Sequence, residues 1–376
     1  MSHVSPAGMR QVGWTLHGAR MILESTSEEA IAYIRAHLGA GSDPAAPAGP
    51  DLRVGVEWRW GSMPAHVHSH RARSSQAGSA ASRAAERAGR DLTDREGRLY
   101  WSRVPGFEGL TMDAGVRGGM VELCVHCGYV PRDSLARMRY LRTGRRAKKT
   151  HRTFFKLMYY AAYYPMIWHF ERTRGWGLLH ASAVERNGKA IVFSGLGGVG
   201  KSTLALSLLA DPSFRFVSDN LVLHDSERIY ALPEPVRLDP SSLMAIAAEG
   251  FAPARSEVPP TAHSKPTYWV EPSRVADSAL ADAVILLRFT PRSLIRPLSA
   301  SETLAHLVAA RDLVKEVEGY RSVAAFLSIA AARDQDDPVD PASLPALVRK
   351  GRAYLLGIGE GEPVRTTLAR IREICA

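Results

Sequence analysis

The stretch Gly195-Leu196-Gly197-Gly198-Val199-Gly200-Lys201-Ser202 constrains this chain more than any other. It fits the spacing G-x-x-x-x-G-K-[ST], and Thr203 follows. An apolar, β-branched run (KAIVFS, 189–194) precedes it, and an Ala/Leu-rich helical run, 202–210, comes after. A strand that turns through glycines into a helix is the unit of an α/β domain, so motif and flanks together set the class of the second half. The glycines let backbone wrap an anion without Cβ clashes. Successive amides from Gly197 to Thr203 then point inward as a nest, and the helix adds its positive end. Lys201 is placed to reach the outer phosphates of a nucleotide, and the Ser202 hydroxyl suits Mg²⁺. Gly195, Gly197, Gly198, Val199, Gly200, Lys201, Ser202 and Thr203 are therefore the expected nucleotide-binding set.

A phosphate loop alone does not choose between kinase, ATPase and GTPase. A second acid is the next requirement. The most apolar downstream strand, AVILLRF at 283–289, ends without one. The run at 214–217 ends instead at Ser218-Asp219-Asn220, 18 residues after Lys201. A carboxylate at a strand end beside the loop can hold Mg²⁺ or accept a proton from an attacking hydroxyl. The plainer alternative is a turn or capping Asp. Asn220 can lend an amide oxygen to a cation, but it brings no charge and cannot act as a base.

Other signals agree with an α/β domain. Asn187-Gly188 between two strand-like runs predicts a two-residue hairpin. A short hairpin is expected across 221–231, a strand at 352–358, and helices at about 301–313, 320–333, 343–351 and 364–374. The block LLHASAVERNGKAIVFSGLGGVGKSTLALSLL, followed by FRFVSDNLVL, resembles the catalytic domain of the HPr kinase/phosphorylase family, which is related to the phosphoenolpyruvate carboxykinase fold. The resemblance covers about 176–240 well. It implies an ATP- and Mg²⁺-dependent kinase, with Asp219 as general base toward a hydroxyl acceptor and His180 near the transferred phosphate. It also implies a homo-oligomer. Three positions depart from the family. Asn220 replaces the second acid of a pair, Thr203 stands where those kinases carry Glu, and the downstream glycine-rich signature of the reverse reaction is missing. They point away from HPr and toward a small molecule or a seryl peptide or protein as acceptor. Arg237 and Lys265 are candidate substrate or phosphate contacts, or else solvated charges. The alternative function is a nucleotide-binding regulator, or an NTPase with weak or no transfer.

The expected organisation is an N-terminal α+β module over 1–131, a basic segment and apolar connecting helix over 132–174, and the α/β catalytic domain over 175–376. Charge supports a division. Residues 1–175 hold 26 Lys+Arg against 15 Asp+Glu, whereas 176–376 hold 22 against 23. Residues 132–152 alone carry nine basic side chains and one acid, which calls for an acidic partner or a solvated face. No nucleic-acid-binding signature accompanies them. The run FFKLMYYAAYYPMIWHF at 154–170 is too short and interrupted for a membrane span, so a buried helix is expected. Residues 69–90 read as a mobile loop or exposed helix. The first ten residues show no apolar leader, and three cysteines are too few for a disulfide scaffold. Cytoplasmic localisation is the expectation. Cys124 and Cys127 form a single CxxC, short of a zinc set unless His66, His68 or His70 completes it.

Overall fold

The computed structural model describes residues 9–39, 42–43, 49–60, 92–95, 97–105, 107, 109–129, 153–256, 265–312, 314–331 and 343–374. The stretch 69–90, the basic segment 132–152 (but for its neighbours from 153 onward) and His66, His68 and His70 lie outside these residues. The chain divides into two compact units. One is Met1–Trp168 with Gly319–Val339, and the other is His169–Glu318 with Asp340–Ala376. Both are built on large sheets, and the class is mixed α/β.

The first unit carries β1 (Arg10–Leu16), β2 (Ala19–Ser25), α1 (Glu28–Leu38), β3 (Ser42–Asp43), β4 (Leu52–Trp60), β5 (Leu92–Arg95), β6 (Arg98–Trp101), β7 (Leu110–Arg117) and β8 (Met120–Tyr129). They form a sheet in the order β3-β1-β2-β4-β8-β7-β6-β5. The stretch after α1 contains β3, which pairs with β1 at Gly13 and Trp14. α1 starts at a run of hydroxyls followed by acids, Ser25-Thr26-Ser27-Glu28-Glu29. Ser27 caps it, accepting from the Ala30 amide, and Glu28 and Glu29 occupy its first turn. One sheet face is apolar, with Val12, Trp14, Leu23, Val54 and Val125 buried. The helical run from 153 packs its aromatics into this unit. Tyr163 meets Trp14 edge-on at 5.7 Å, and Phe154 stacks on Tyr33 at 5.2 Å. This run holds one π-helical segment, Tyr159–Tyr163, just before α2 (Tyr164–Arg174). Tyr164 N–H bonds back to Tyr159 C=O, and Pro165 next to it has no N–H to give.

The opposite sheet face is charged. His126 on β8 contacts Asp113 on β7 through Nε2 (2.6 Å) and Glu57 on β4 through Nδ1 (3.2 Å). Arg98 on β6 donates to the other oxygen of Asp113 (2.6 Å). Burial alone would lower the His126 pKa, but the bonds to Asp113 and Glu57 outweigh it and hold it at about 9. Cys124 and Cys127 stand three apart on β8, so strand alternation puts them on opposite faces and they cannot chelate one metal together. Burial pushes both thiols up to about 12.

The second unit continues with β9 (Gly177–Arg186), β10 (Lys189–Ser194), α3 (Lys201–Leu208), β11 (Phe214–Ser218), β12 (Leu221–His224), β13 (Arg228–Tyr230), β14 (Val236–Arg237), α4 (Pro240–Ala248), β15 (Ala254–Arg255), β16 (Thr267–Trp269), β17 (Ser278–Thr290), β18 (Leu294–Pro297), α5 (Ala300–Asp312), α6 (Lys315–Ala331, shared with the first unit), α7 (Ser343–Lys350), β19 (Arg352–Gly359) and α8 (Val364–Ile374). Asn187 and Gly188 both take positive φ, 53° and 80°, which makes the two-residue β9–β10 hairpin. β10, β17 and β19 run parallel, and the remaining pairings of the large sheet are antiparallel. Hydrogen bonding closes a circuit through β10, β9, β12, β13 and β17 back to β10. α3, α4 and α8 cover one face, where Leu204, Ile246 and Leu368 meet Ile191, Phe193 and Ile285. α5 and α7 supply Leu307, Leu344 and Leu347 to the other, against Val192, Val222 and Leu286. Among the described residues, no helix is long and apolar enough to cross a membrane.

Candidate functional site

β10 ends at Ser194 opposite Leu286 of its parallel neighbour β17, and the chain then leaves the sheet. Gly195 adopts φ 141°, and a Cβ there would lie 2.6 Å from the Leu287 carbonyl oxygen, so only glycine fits. Leu196, Gly197 and Gly198 are exposed, while Val199 anchors the loop in the core. Gly198 and Gly200 take φ 82° and 96°, the left-handed region, and Gly200 caps α3. Leu204 N–H is the first to bond back, to Gly200 C=O at 2.9 Å. The amides of Lys201, Ser202 and Thr203 are thus the first-turn donors that a helix cannot satisfy internally. Lys201 is buried and folds onto its own loop, donating to the carbonyls of Gly195 (2.9 Å) and Leu196 (3.1 Å). Burial pulls its pKa below the ordinary lysine value, and the charge on Asp219 opposes that pull.

Asp219 closes the mouth of this loop. β11 and β12 both pair with β9, on the edge away from β10, so the turn between them lies beside the loop. Ser202 Oγ lies 2.8 and 3.0 Å from the two carboxylate oxygens of Asp219. Ser182 on β9, fully buried, donates to Oδ1 of the same group. The structure therefore joins Lys201, Ser202 and Asp219 in one cluster with Ser182.

The turn itself is tightly held. Asn220 has φ 64°, a conformation that Asn tolerates better than most residues, and Leu221 N–H bonds across it to Asp219 C=O at 2.7 Å. Asn220 Nδ2 donates to the buried Glu234 carboxylate at 3.1 Å. Ser218 Oγ sits between the carbonyls of Leu221 (2.7 Å) and Leu232 (3.1 Å) and accepts from Leu232 N–H. His180 on β9 pairs with Leu221, and its Nδ1 lies 2.8 Å from Asn220 C=O. A carbonyl only accepts, so Nδ1 carries the proton and Nε2 holds the lone pair. Burial, then the charge of Lys201, pull the His180 pKa down to about 4, leaving it neutral at ordinary pH.

The two downstream cations part company. Arg237 on β14 pairs with Glu316 on α6 at 3.6 Å, and Glu316 acts electrostatically on His180. Lys265 pairs instead with Asp239, the N-cap of α4, at 2.8 Å. The structure links Lys265 to that cap and not to the Asp219 cluster. Sequence reading missed Ser182, Glu234 and Glu316. Ser182 alone left a signal, since it stands two residues after His180 and alternation puts both on one face of β9. Among the described residues no three His, Cys, Asp or Glu side chains gather as a metal-binding group.

No protein-family profile matches the chain, and no curated protein matches it. A solved structure that aligns with it is the Hpr(Ser) kinase/phosphatase from Coxiella burnetii, with 13% identity, 52% of this chain and 96% of that chain covered, and a TM-score of 0.25. A likeness of that degree carries no argument about activity, which rests on the geometry above.

Proposed function

We propose that the second unit is an ATP- and Mg²⁺-dependent phosphotransferase that acts on a hydroxyl group of a small molecule or a seryl peptide. One observation carries the reading. The strand-end carboxylate of Asp219 meets the Ser202 hydroxyl next to Lys201, at the mouth of a glycine-rich loop that opens a helix. Ser202 and Asp219 are hard oxygen donors, which is the donor set Mg²⁺ takes, with phosphate and water oxygens completing it. When bound there, the cation offsets negative charge on the phosphate oxygens.

The chain's own groups have separate tasks. The amides from Gly197 to Thr203 and the Lys201 ammonium hold the β- and γ-phosphates. The acceptor oxygen bonds the γ-phosphorus as the bond to the β,γ-bridging oxygen breaks, and ADP leaves. The acceptor proton passes to Asp219. Ser182 and Ser202 both donate toward Oδ1, and Oδ2, with Ser202 Oγ alone at 3.0 Å, is the less engaged oxygen and takes the proton. His180, neutral and braced on Asn220, positions the turn that aims Asp219. The reading is tested with Asp219→Asn and Lys201→Ala. Asp219→Asn should bind MgATP but lose phosphoryl transfer, and Lys201→Ala should lose binding as well. Normal transfer by Asp219→Asn would remove Asp219 as the base.

A second reading is favoured by Asn220, whose amide points to Glu234 where a second carboxylate would otherwise stand. On that reading the unit binds nucleotide as a regulator, and the wild type would show binding without transfer to any acceptor.

A further inference from the structure

Among the described residues, Phe289 is the one aromatic side chain in the set of exposed large hydrophobics, at 64% exposure. Its place is informative. Gly195 leaves the sheet against Leu287 of β17, and Phe289 is two residues further along that strand, about 7 Å on. Alternation puts Phe289 on the same face as Ile285 and Leu287, the face that carries α3 and Val199. It pairs with Ile358 of β19, each the last residue but one of its strand, and stands three residues past the point where β10 ends opposite Leu286. That rim is the carboxyl-end side of the parallel strands, where the glycine-rich loop itself leaves the sheet. Leu196, at the tip of the glycine-rich loop, is 61% exposed and adds a second apolar surface.

We propose that Phe289, with Leu196 beside it, is the platform on which the purine base of the nucleotide stacks. The proposal rests on the nucleotide reading of Gly195–Thr203. A planar ring one short step beyond a phosphate nest matches a ligand with charge at one end and a flat π-system at the other. Two hydroxyls near it are engaged within the rim. Thr290 Oγ1 donates to Arg292 C=O, and the Ser293 hydroxyl donates to Glu362. Neither hydroxyl is left to read the base's edge, and on this proposal the ring holds the base by its face, adenine and guanine alike.

The test is equilibrium binding of the full chain to MgATP, MgGTP and magnesium tripolyphosphate, which has the phosphates and no base. Wild type should bind both nucleotides more tightly than tripolyphosphate. Phe289→Ala should weaken ATP and GTP about tenfold or more and leave tripolyphosphate unchanged, with an unchanged melting curve because the ring is exposed. Phe289→Trp should retain nucleotide affinity. Unchanged ATP binding by Phe289→Ala would overturn the platform and leave the nucleotide reading standing, as would an equal loss for tripolyphosphate. Failure of wild type to bind any of the three would overturn both.

Discussion

Replacing Gly195 by alanine tests the loop's geometry at its narrowest point. The new methyl would lie 2.6 Å from the Leu287 carbonyl oxygen and 3.2 Å from Val199 Cγ1, on a residue with φ 141°. Carbon and oxygen ordinarily approach no closer than about 3.3 Å, so either β10 or β17 must move. Overpacking of this kind costs about 1–3 kcal/mol, and forcing a side chain into a glycine-only backbone region adds about 1–3 kcal/mol. The sum, ~2–6 kcal/mol, is a large part of a domain's stability. For a unit of this size it lowers the melting temperature by roughly 4–24 °C. Gly197→Ala is the control. A Cβ there meets nothing within 4 Å and the backbone φ is ordinary, so its melting curve should match wild type. Near-ultraviolet circular dichroism during heating reads both. Equal melting temperatures for Gly195→Ala and Gly197→Ala would refute the close approach of loop to β17.

Other outcomes follow from single contacts. His126 is held at about 9, above the ordinary 6.5, by Asp113 and Glu57. The stability this supplies, ~3 kcal/mol, is complete below pH 6.5 and is lost as pH rises through 9. Urea midpoints should fall over that window in wild type and stay level in His126→Gln, and parallel curves would contradict the paired cation. His180 should titrate near 4 in nuclear magnetic resonance spectra of its imidazole, and a midpoint above 6 would contradict its burial beside Lys201. Ser27→Ala removes the cap of α1 and should cost about 1 kcal/mol, read as a lower melting temperature of the first unit. An unchanged melt would mean the cap contributes nothing.

What could be read from sequence was local. Asn187-Gly188 specifies its hairpin because both residues tolerate positive φ, and the loop 195–203 announces itself through glycines whose φ and close contacts exclude other residues. Strand 283–289 and helices 301–313, 343–351 and 364–374 fell close to their observed places because their apolar periods are unbroken. Long-range pairing was not legible. β9 carries β10 on one edge and β11 with β12 on the other, which brings Ser182 to Asp219 across 37 residues. Neither residue betrays that meeting in its own neighbourhood. Glu234 and Glu316 reach the site from a loop and a helix whose periods carry no mark of it. Nor does any helical pattern show the π segment at Tyr159–Tyr163, which adjoins a proline that withholds one backbone donor.

The most direct test of the central claim is transfer of labelled phosphate from γ-³²P-ATP, with Mg²⁺, to fractionated lysate of the source cell. Peptides and small metabolites are separated afterwards. The account predicts a labelled species that disappears in both Lys201→Ala and Asp219→Asn, and its fraction names the acceptor class. Release of free phosphate alone, or no label in any fraction, would contradict a phosphotransferase.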